Sequence, residues 1–235
     1  MTALVVVAKE CLPGLVKTRL CPPLAAVEAA SVAAACLADT LAVLAEVPAG
    51  RRILYLGRSD GGRPGGAPRP ALPGEAAGWE VLRQPGGPLD VRLGGLLDRL
   101  DEPFLLVGMD TPQVTAAHLA PALEALATPA GGDRDAWLGP AADGGYWALG
   151  LGGEAPRAGR RGDLVRGVPM SRDDTGERQR ERLERAGLRV RLLDELVDVD
   201  TVDDLRAVAG LAPGSRVARV AAGLGSLGPV SGVAS

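Results

Sequence analysis

Short apolar runs alternate with longer segments of helical period along most of the chain. The runs predict β-strands at residues 4–8, 52–57, 79–83, 104–108, 136–139, 146–151 and 188–193. The longer segments predict α-helices at residues 25–46, 89–100, 115–126, 173–186 and 202–209. Because strands that alternate with helices form right-handed β-α-β units, the pattern predicts an α/β fold with a Rossmann-like, mainly parallel sheet and helices on both faces.

Two segments show neither the apolar runs of strands nor the helical period. Residues 58–78 are rich in Gly, Pro and Arg, which predicts a mobile loop or lid that buries little apolar surface. Residues 211–235 consist largely of Gly, Ser, Ala and Val without a clear period, and they are predicted to form a weakly ordered tail. The sequence therefore predicts a single folded domain over residues 1–210.

Composition narrows the functional classes. The formal net charge of −3 gives no general attraction to nucleic acid or to an anionic membrane. The apolar run at residues 4–8 is too short for a signal peptide or a membrane span. The three cysteines lack metal-ligand spacing, so we expect reduced thiols in a cytoplasmic protein. His118 is the sole histidine and lies in a predicted helix, which argues against a Ser–His–Asp triad or a His-based metal site.

The loop after the first strand is the first candidate site, because ligands of parallel α/β sheets bind outside the carboxyl ends of the strands. It contains both lysines of the chain, Lys9 and Lys17, together with Pro13, Gly14 and Arg19. Backbone N–H groups that a glycine leaves accessible, with cations beside them, are typical of phosphate binding. A surface loop with ordinary cations is the alternative that these residues leave open.

Acidic residues follow two later elements. Asp110 comes directly after the apolar strand at 104–108, where its carboxylate is suited to a hard divalent cation; a helix N-cap is the alternative. Asp200 is the carboxylate of the second cluster that is expected to face the site, and either it or Thr201 is a possible cap of the last helix. Asp203 and Asp204 fall in the first turn of that helix, where carboxylates favour the helix dipole.

A glycine turn between two predicted strands is the candidate substrate-binding segment. Gly144 and Gly145 let a sugar or phosphate approach the backbone, and Asp143 and Tyr146 are placed to contact it. A plain hairpin turn is the alternative, because Asp-Gly-Gly tolerates positive φ.

The motifs in this order resemble those of a bacterial transferase family, the domain of unknown function 2064, which includes proteins named as radical-SAM/selenodomain-associated transferases. That family lies in the nucleotide-diphospho-sugar transferase, or glycosyltransferase-A, superfamily. The matching residues are Ala8-Lys9, Pro13-Gly14, Val16-Lys17-Thr18-Arg19-Leu20, Gln84, Gly86, Arg92, Gly108, Asp110, Pro112, Gly139-Pro140-Ala141, Asp143-Gly144-Gly145-Tyr146 and Asp198-Val199-Asp200-Thr201. The chain departs from the family at Cys11, where Pro is usual, and at Met170, where Trp is common.

The resemblance implies the ligands of the site. A nucleotide is expected to bind through the N-terminal loop with Gln84 and Gly86. A divalent metal, Mg²⁺ or Mn²⁺, is expected between Asp110 and Asp200. The partners are then a nucleotide or nucleotide-sugar and a small-molecule acceptor, with no nucleic acid and no membrane.

Three functions are compatible with these residues. The first is glycosyl transfer from a nucleotide-diphospho-sugar, with Lys17, Asp110 and Asp143 as the catalytic residues. The second is nucleotidyl transfer from a nucleoside triphosphate to a phosphorylated small molecule, which the wide separation of the carboxylates and the Lys/Arg loop fit slightly better. The third is a catalytically silent nucleotide-binding domain. The family resemblance favours glycosyl transfer.

Overall fold

The computed structural model describes residues 1–58, 71–128, 135–153 and 159–225. Its seven strands form one sheet: β1 (Ala3–Lys9), β2 (Arg51–Gly57), β3 (Glu80–Arg83), β4 (Phe104–Gly108), β5 (Asp135–Pro140), β6 (Tyr146–Leu151) and β7 (Arg189–Leu192). Its six α-helices are α1 (Ala26–Glu46), α2 (Leu89–Leu97), α3 (Ala116–Ala127), α4 (Thr175–Arg185), α5 (Val202–Leu211) and α6 (Arg216–Gly223). The predicted strands and the five predicted helices are thus confirmed, with small shifts at their ends.

The strand order is β3-β2-β1-β4-β6-β5-β7. Only β6 runs antiparallel to its neighbours, β4 and β5; the other pairings are parallel. This arrangement confirms the Rossmann-like, mainly parallel sheet. The strand order reverses between β1 and β4, and this reversal opens a crevice at their carboxyl ends. The loop after β1 and the residues after β4 therefore face each other.

Two apolar cores cover the faces of the sheet. Central strands of a parallel sheet are buried on both sides, which is why β1 and β4 are almost uniformly apolar. One core joins the sheet to α1 and α3, and the other joins it to α2 and α4. Helix α1 has the length and apolar composition of a membrane-spanning helix. About two thirds of its most apolar segment is buried inside this protein. Its apolar character therefore suits a core helix.

Helix α6 differs from the predicted weakly ordered tail. Asp39 of α1 is buried and accepts hydrogen bonds from the backbone N–H groups of Arg216 (3.0 Å) and Val217 (2.9 Å). The apolar face of α6 packs with α1 and α5 in a third core. The sequence signal was weak because this helix is short, and its stability depends on a carboxylate far away in the chain.

Parts of two predictions fall on residues that the structure does not describe. The predicted lid at 58–78 includes residues 59–70, which lie outside the described ranges, and the same holds for residues 226–235 of the predicted tail. Within the described part, Gly74–Ala76 form a 3₁₀ turn against α1.

Candidate functional site

The loop after β1 directs Lys17 into the crevice. Val16 and Leu20 are buried and fix the loop on either side of Lys17. Gly14 makes the turn with φ +76°, and Lys17 itself has a left-handed backbone with φ 49° and ψ 38°. This conformation is unfavourable for a residue with a Cβ atom. The loop thus holds an unusual backbone geometry that sends the lysine side chain inward, where only 5% of it is exposed.

Lys17 connects the two acidic positions that the sequence predicted. Its Nζ lies 2.6 Å from Oδ1 of Asp110 and 3.2 Å from Oδ1 of Asp200. Arg19 reaches the other oxygen of Asp200 at 3.1 Å. Burial alone lowers the pKa of Lys17, but the neighbouring anions, Asp110 foremost, hold that pKa above its usual value, so the ammonium stays charged.

Long-range backbone contacts bring the C-terminal carboxylates to β4. The N–H of Val199 donates to the carbonyl oxygen of Asp110 at 2.9 Å. The side-chain amide of Gln113 donates to the carbonyl of Val197 at 2.7 Å, and the indole N–H of Trp147 donates to the carbonyl of Asp194 at 3.0 Å. These bonds hold residues 194–200 along the ends of β4 and β5.

Asp198, noted in the sequence only as part of the family motif, is a further acidic residue of the site. It lines the cleft beside Asp200. Its pKa is raised to about 7 by burial and by the negative charges of Asp110 and Asp143. A signal was present in the sequence, because Asp198-Val199-Asp200 is an Asp-x-Asp pair, and alternate residues of an extended segment point to the same side.

The crevice is a cleft of about 580 Å³. Most of the predicted residues line it, namely Lys9, Lys17, Arg19, Gln84, Asp110, Asp143, Gly145, Tyr146 and Asp200. Gly86 lines an adjoining cleft of about 440 Å³, to which Lys9 and Gln84 also contribute. Pro13, Gly14 and Gly144 line neither cleft.

The side chain of Gln84 links strands β1 and β2. Its Nε2 donates to the carbonyl oxygens of Ala8 (3.2 Å) and Tyr55 (2.7 Å), and its Oε1 accepts from the guanidinium of Arg92. The amide is therefore fully engaged, and it places Arg92 where both clefts meet. Arg92 was noted only as part of the family motif, and the structure adds it to the lining of the site.

The glycine turn has a packing role as well as a place in the cleft. Gly144 has φ +85°, and a Cβ atom there would lie 1.9 Å from the carbonyl oxygen of Asp173. The N–H of Gly176 donates to the carbonyl of Gly144 at 2.8 Å. Gly144 is thus required for contact with the start of α4. Asp143 closes the turn by accepting from the N–H of Gly145 at 2.8 Å.

The two aromatic residues after this turn have different roles. Trp147 is 1% exposed and packs in the core against Gly139. Tyr146 lines the cleft, and its hydroxyl is buried without a hydrogen-bond partner in the described part of the protein. Burial, and to a lesser extent Asp90, raises the pKa of Tyr146, so the hydroxyl keeps its proton. Tyr146 therefore carries a protonated, buried hydroxyl that no described residue satisfies.

Residues at the start of α5 have the capping roles that the sequence allowed. Thr201 is the N-cap, and its hydroxyl accepts from the N–H of Asp204. The carboxylate of Asp204 accepts from the N–H of Thr201 at 2.7 Å. Asp203 is 91% exposed and pairs with Arg206. The carboxylate of Asp200 does not cap the helix and pairs with Lys17 and Arg19. His118 caps the first turn of α3, accepting from the N–H of Thr115, which is a structural role.

The donor set suits a hard divalent cation. Five carboxylates line the cleft, namely Asp110, Asp143, Asp173, Asp198 and Asp200. Within the described part of the protein, only Asp110 and Asp200 form ion pairs with the cations of the lining, and those cations are Lys17 and Arg19. Among the described residues, no three His, Cys, Asp or Glu side chains form a ready metal cage. Mg²⁺ commonly takes one or two carboxylates and completes its shell with water and substrate phosphate, so such a cage is not needed.

Comparisons with known proteins give a family match and a similar solved fold. The model of a family described as "Uncharacterized protein conserved in bacteria (DUF2064)" matches residues 40–172. A solved structure of a candidate nucleotide-diphospho-sugar transferase from Desulfovibrio desulfuricans G20 is 26% identical, covers 97% of both chains and has a TM-score of 0.74. A search of curated proteins gives no match.

Two further solved structures are more distant. A homologue of Mycobacterium tuberculosis Rv0371c from Mycobacterium sp. strain JC1 is 19% identical over 90% of this chain and 98% of its own, with a TM-score of 0.48. A CMP:2-keto-3-deoxy-manno-octonic acid synthetase complexed with CTP is 13% identical over 91% of this chain and 99% of its own, with a TM-score of 0.47.

Proposed function

Because the chain belongs to the bacterial family DUF2064, we propose that it is a nucleotide-using transferase, and that it moves a glycosyl group from a nucleotide-diphospho-sugar to a small acceptor. The observation that carries this proposal is the meeting of Asp110, Asp198 and Asp200 around Lys17 at the carboxyl ends of β1 and β4. The D. desulfuricans neighbour supports the same donor class, since it matches this chain over its whole length.

Asp110 and Asp200 are the proposed metal ligands, and Asp198, which lines the same cleft, is a further candidate ligand. A divalent ion bound there supplies charge neutralisation for the departing diphosphate. Lys17 and Arg19 lie beside these carboxylates and stabilise the same developing charge. The protein's own part is to hold these groups in place before the reaction begins.

The acceptor is proposed to bind on the opposite wall of the cleft. Tyr146 offers an unpartnered hydroxyl there, and Asp143 has one carboxylate oxygen bound to the turn and the other available to orient an acceptor hydroxyl. Met170, Ser171 and Arg172 line the same region. These residues precede α4, to which Gly144 is packed, so the acceptor wall is one connected unit.

Nucleotidyl transfer is the second candidate. Lys9 lines both clefts and forms no ion pair in the described part of the chain, which leaves it available to a phosphate chain longer than a diphosphate. The two reactions differ in their product: glycosyl transfer releases a nucleoside diphosphate, and nucleotidyl transfer releases pyrophosphate.

The test is to incubate the protein and Mn²⁺ with nucleotide-sugars and, separately, with nucleoside triphosphates, and to measure both products by chromatography. We expect slow nucleoside diphosphate release from one nucleotide-sugar, lost in Asp110→Asn and retained in Asp203→Asn, whose exposed side chain lies on α5. Pyrophosphate release from a triphosphate supports the second candidate. Release of neither product, with no calorimetric nucleotide binding, contradicts both and favours a silent domain.

A further inference from the structure

Lys17 lies where its ammonium shares oxygen atoms with the two proposed metal ligands. The Oδ1 atoms of Asp110 and Asp200 are both within 3.2 Å of its Nζ, and the lysine side chain is almost fully buried. A cation held by the same two carboxylates meets these same oxygen atoms. The ammonium and a divalent ion therefore compete for them, and each repels the other.

The backbone keeps Lys17 in this position. Its left-handed conformation is disfavoured for a residue with a Cβ atom, and the buried side chains of Val16 and Leu20 fix the loop on both sides. The alternative cation, Arg19, differs in both respects. It pairs with the outer oxygen of Asp200, its side chain is 68% exposed, and it makes no contact with Asp110.

We propose that Lys17 acts as an internal counter-ion that excludes the divalent metal until a phosphate group arrives, so that metal and nucleotide bind cooperatively. This inference rests on the proposed function, because it takes Asp110 and Asp200 as the metal ligands. A phosphate gives the ammonium a new anionic partner, so Lys17 turns from Asp110 to the phosphate and the carboxylate oxygens pass to the metal. By linkage, the metal then raises nucleotide affinity by the same factor.

The test measures Mn²⁺ binding in the absence of any nucleotide, from the electron paramagnetic resonance signal of free Mn²⁺. Lys17→Met removes the competing ammonium while it keeps the apolar stem. We expect this variant to bind Mn²⁺ at least about tenfold more tightly than the wild type, because a charge has been removed from the shared oxygens. Arg19→Met is the matched control, and it changes Mn²⁺ affinity by less than about threefold, since its charge is solvated.

The second measurement uses Mn²⁺ with inorganic pyrophosphate as the phosphate probe. Wild-type protein binds the pair more tightly than the two separate affinities predict. Lys17→Met reduces this cooperativity by about tenfold or more, because Lys17 no longer changes partners. If Lys17 only supported the structure, its replacement would weaken Mn²⁺ binding both with and without pyrophosphate. It would not raise the Mn²⁺ affinity while lowering the cooperativity.

The outcomes separate this inference from the function on which it rests. If Lys17→Met and wild type bind Mn²⁺ equally, and Asp110→Asn abolishes that binding, the metal site stands and the counter-ion role is refuted. If none of the variants binds Mn²⁺, with or without pyrophosphate, the metal part of the proposed function is refuted as well. If Lys17→Met does not fold, Lys17→Gln gives the same comparison, because it keeps a hydrogen-bond donor and removes the charge.

Discussion

Two clusters of acidic side chains contact cations in this protein, and they differ in how many of their carboxylates are paired. At the 3₁₀ turn Arg161–Leu164, Asp98 and Asp163 form ion pairs with Arg160 and Arg166. Asp98 also accepts a backbone hydrogen bond from Gly162 at 2.8 Å. Acids and cations are equal in number here, and the buried carboxylate is satisfied by donors from its own surroundings.

The cleft is built differently. Of its five carboxylates only Asp110 and Asp200 form ion pairs with lining cations among the described residues, and burial, with the charges of Asp110 and Asp143, raises the pKa of Asp198 to about 7. A fold tolerates such an arrangement when a ligand completes it, because a buried carboxylate without a partner is unfavourable. The comparison teaches that an unmet charge is a better marker of a site than acidic residues alone.

Asp110→Asn is the variant with the largest expected effect on the cleft. We expect metal-dependent turnover to fall about 10³-fold, because the cation that neutralises the departing phosphate loses a ligand. The free energy of unfolding changes by less than about 1 kcal/mol, since Lys17 keeps Asp200 as a partner. Steady-state kinetics and urea denaturation measure the two quantities. Full activity in this variant contradicts the site.

Asp98→Asn should give the reverse result. We expect the free energy of unfolding to fall by about 3 kcal/mol, because a buried carboxylate that holds two arginines is removed. Turnover and Mn²⁺ affinity of the folded protein stay at the wild-type level. Urea denaturation and electron paramagnetic resonance check this pair of results, with Asp203→Asn as the exposed control. A loss of Mn²⁺ affinity equal to that of Asp110→Asn would remove the distinction between the two groups.

Tyr146→Phe removes a single hydroxyl group from the cleft and has the smallest expected effect. The buried hydroxyl has no partner in the described part of the protein, so its removal is expected to raise the free energy of unfolding by about 1 kcal/mol. We expect turnover to fall about tenfold, because the acceptor loses a hydrogen-bond donor. Thermal denaturation and kinetics are measured on the same preparation. Unchanged turnover assigns Tyr146 to packing alone.

Much of the fold follows from the period of the apolar residues. The strand at 104–108 has the predicted bounds because a fully apolar run ends at Gly108 and an acidic residue follows. Asp110 could be placed in the site for the same reason, since the carboxyl end of a central strand has one location in this fold.

Other features depend on contacts that a local pattern does not carry. The position of Asp198 depends on the hydrogen bond between Val199 and the carbonyl of Asp110, which joins distant parts of the chain. The packing of Gly144 against Asp173 is a close backbone approach that resembles a plain turn in sequence. The predicted contact of Gly144 with substrate stays a prediction beside this packing role, and Pro13 and Gly14 belong to the loop outside the cleft.

The docking of α6 has a consequence for the extent of the folding unit. A truncation after Leu211 would leave the carboxylate of Asp39 without the N–H groups of Arg216 and Val217, and it would uncover apolar side chains of α1. Helix α1 also borders the loop that holds Lys17, through the 3₁₀ turn at Thr18–Leu20. The C-terminal helix therefore supports the helix that borders the Lys17 loop, and a fusion partner belongs beyond it.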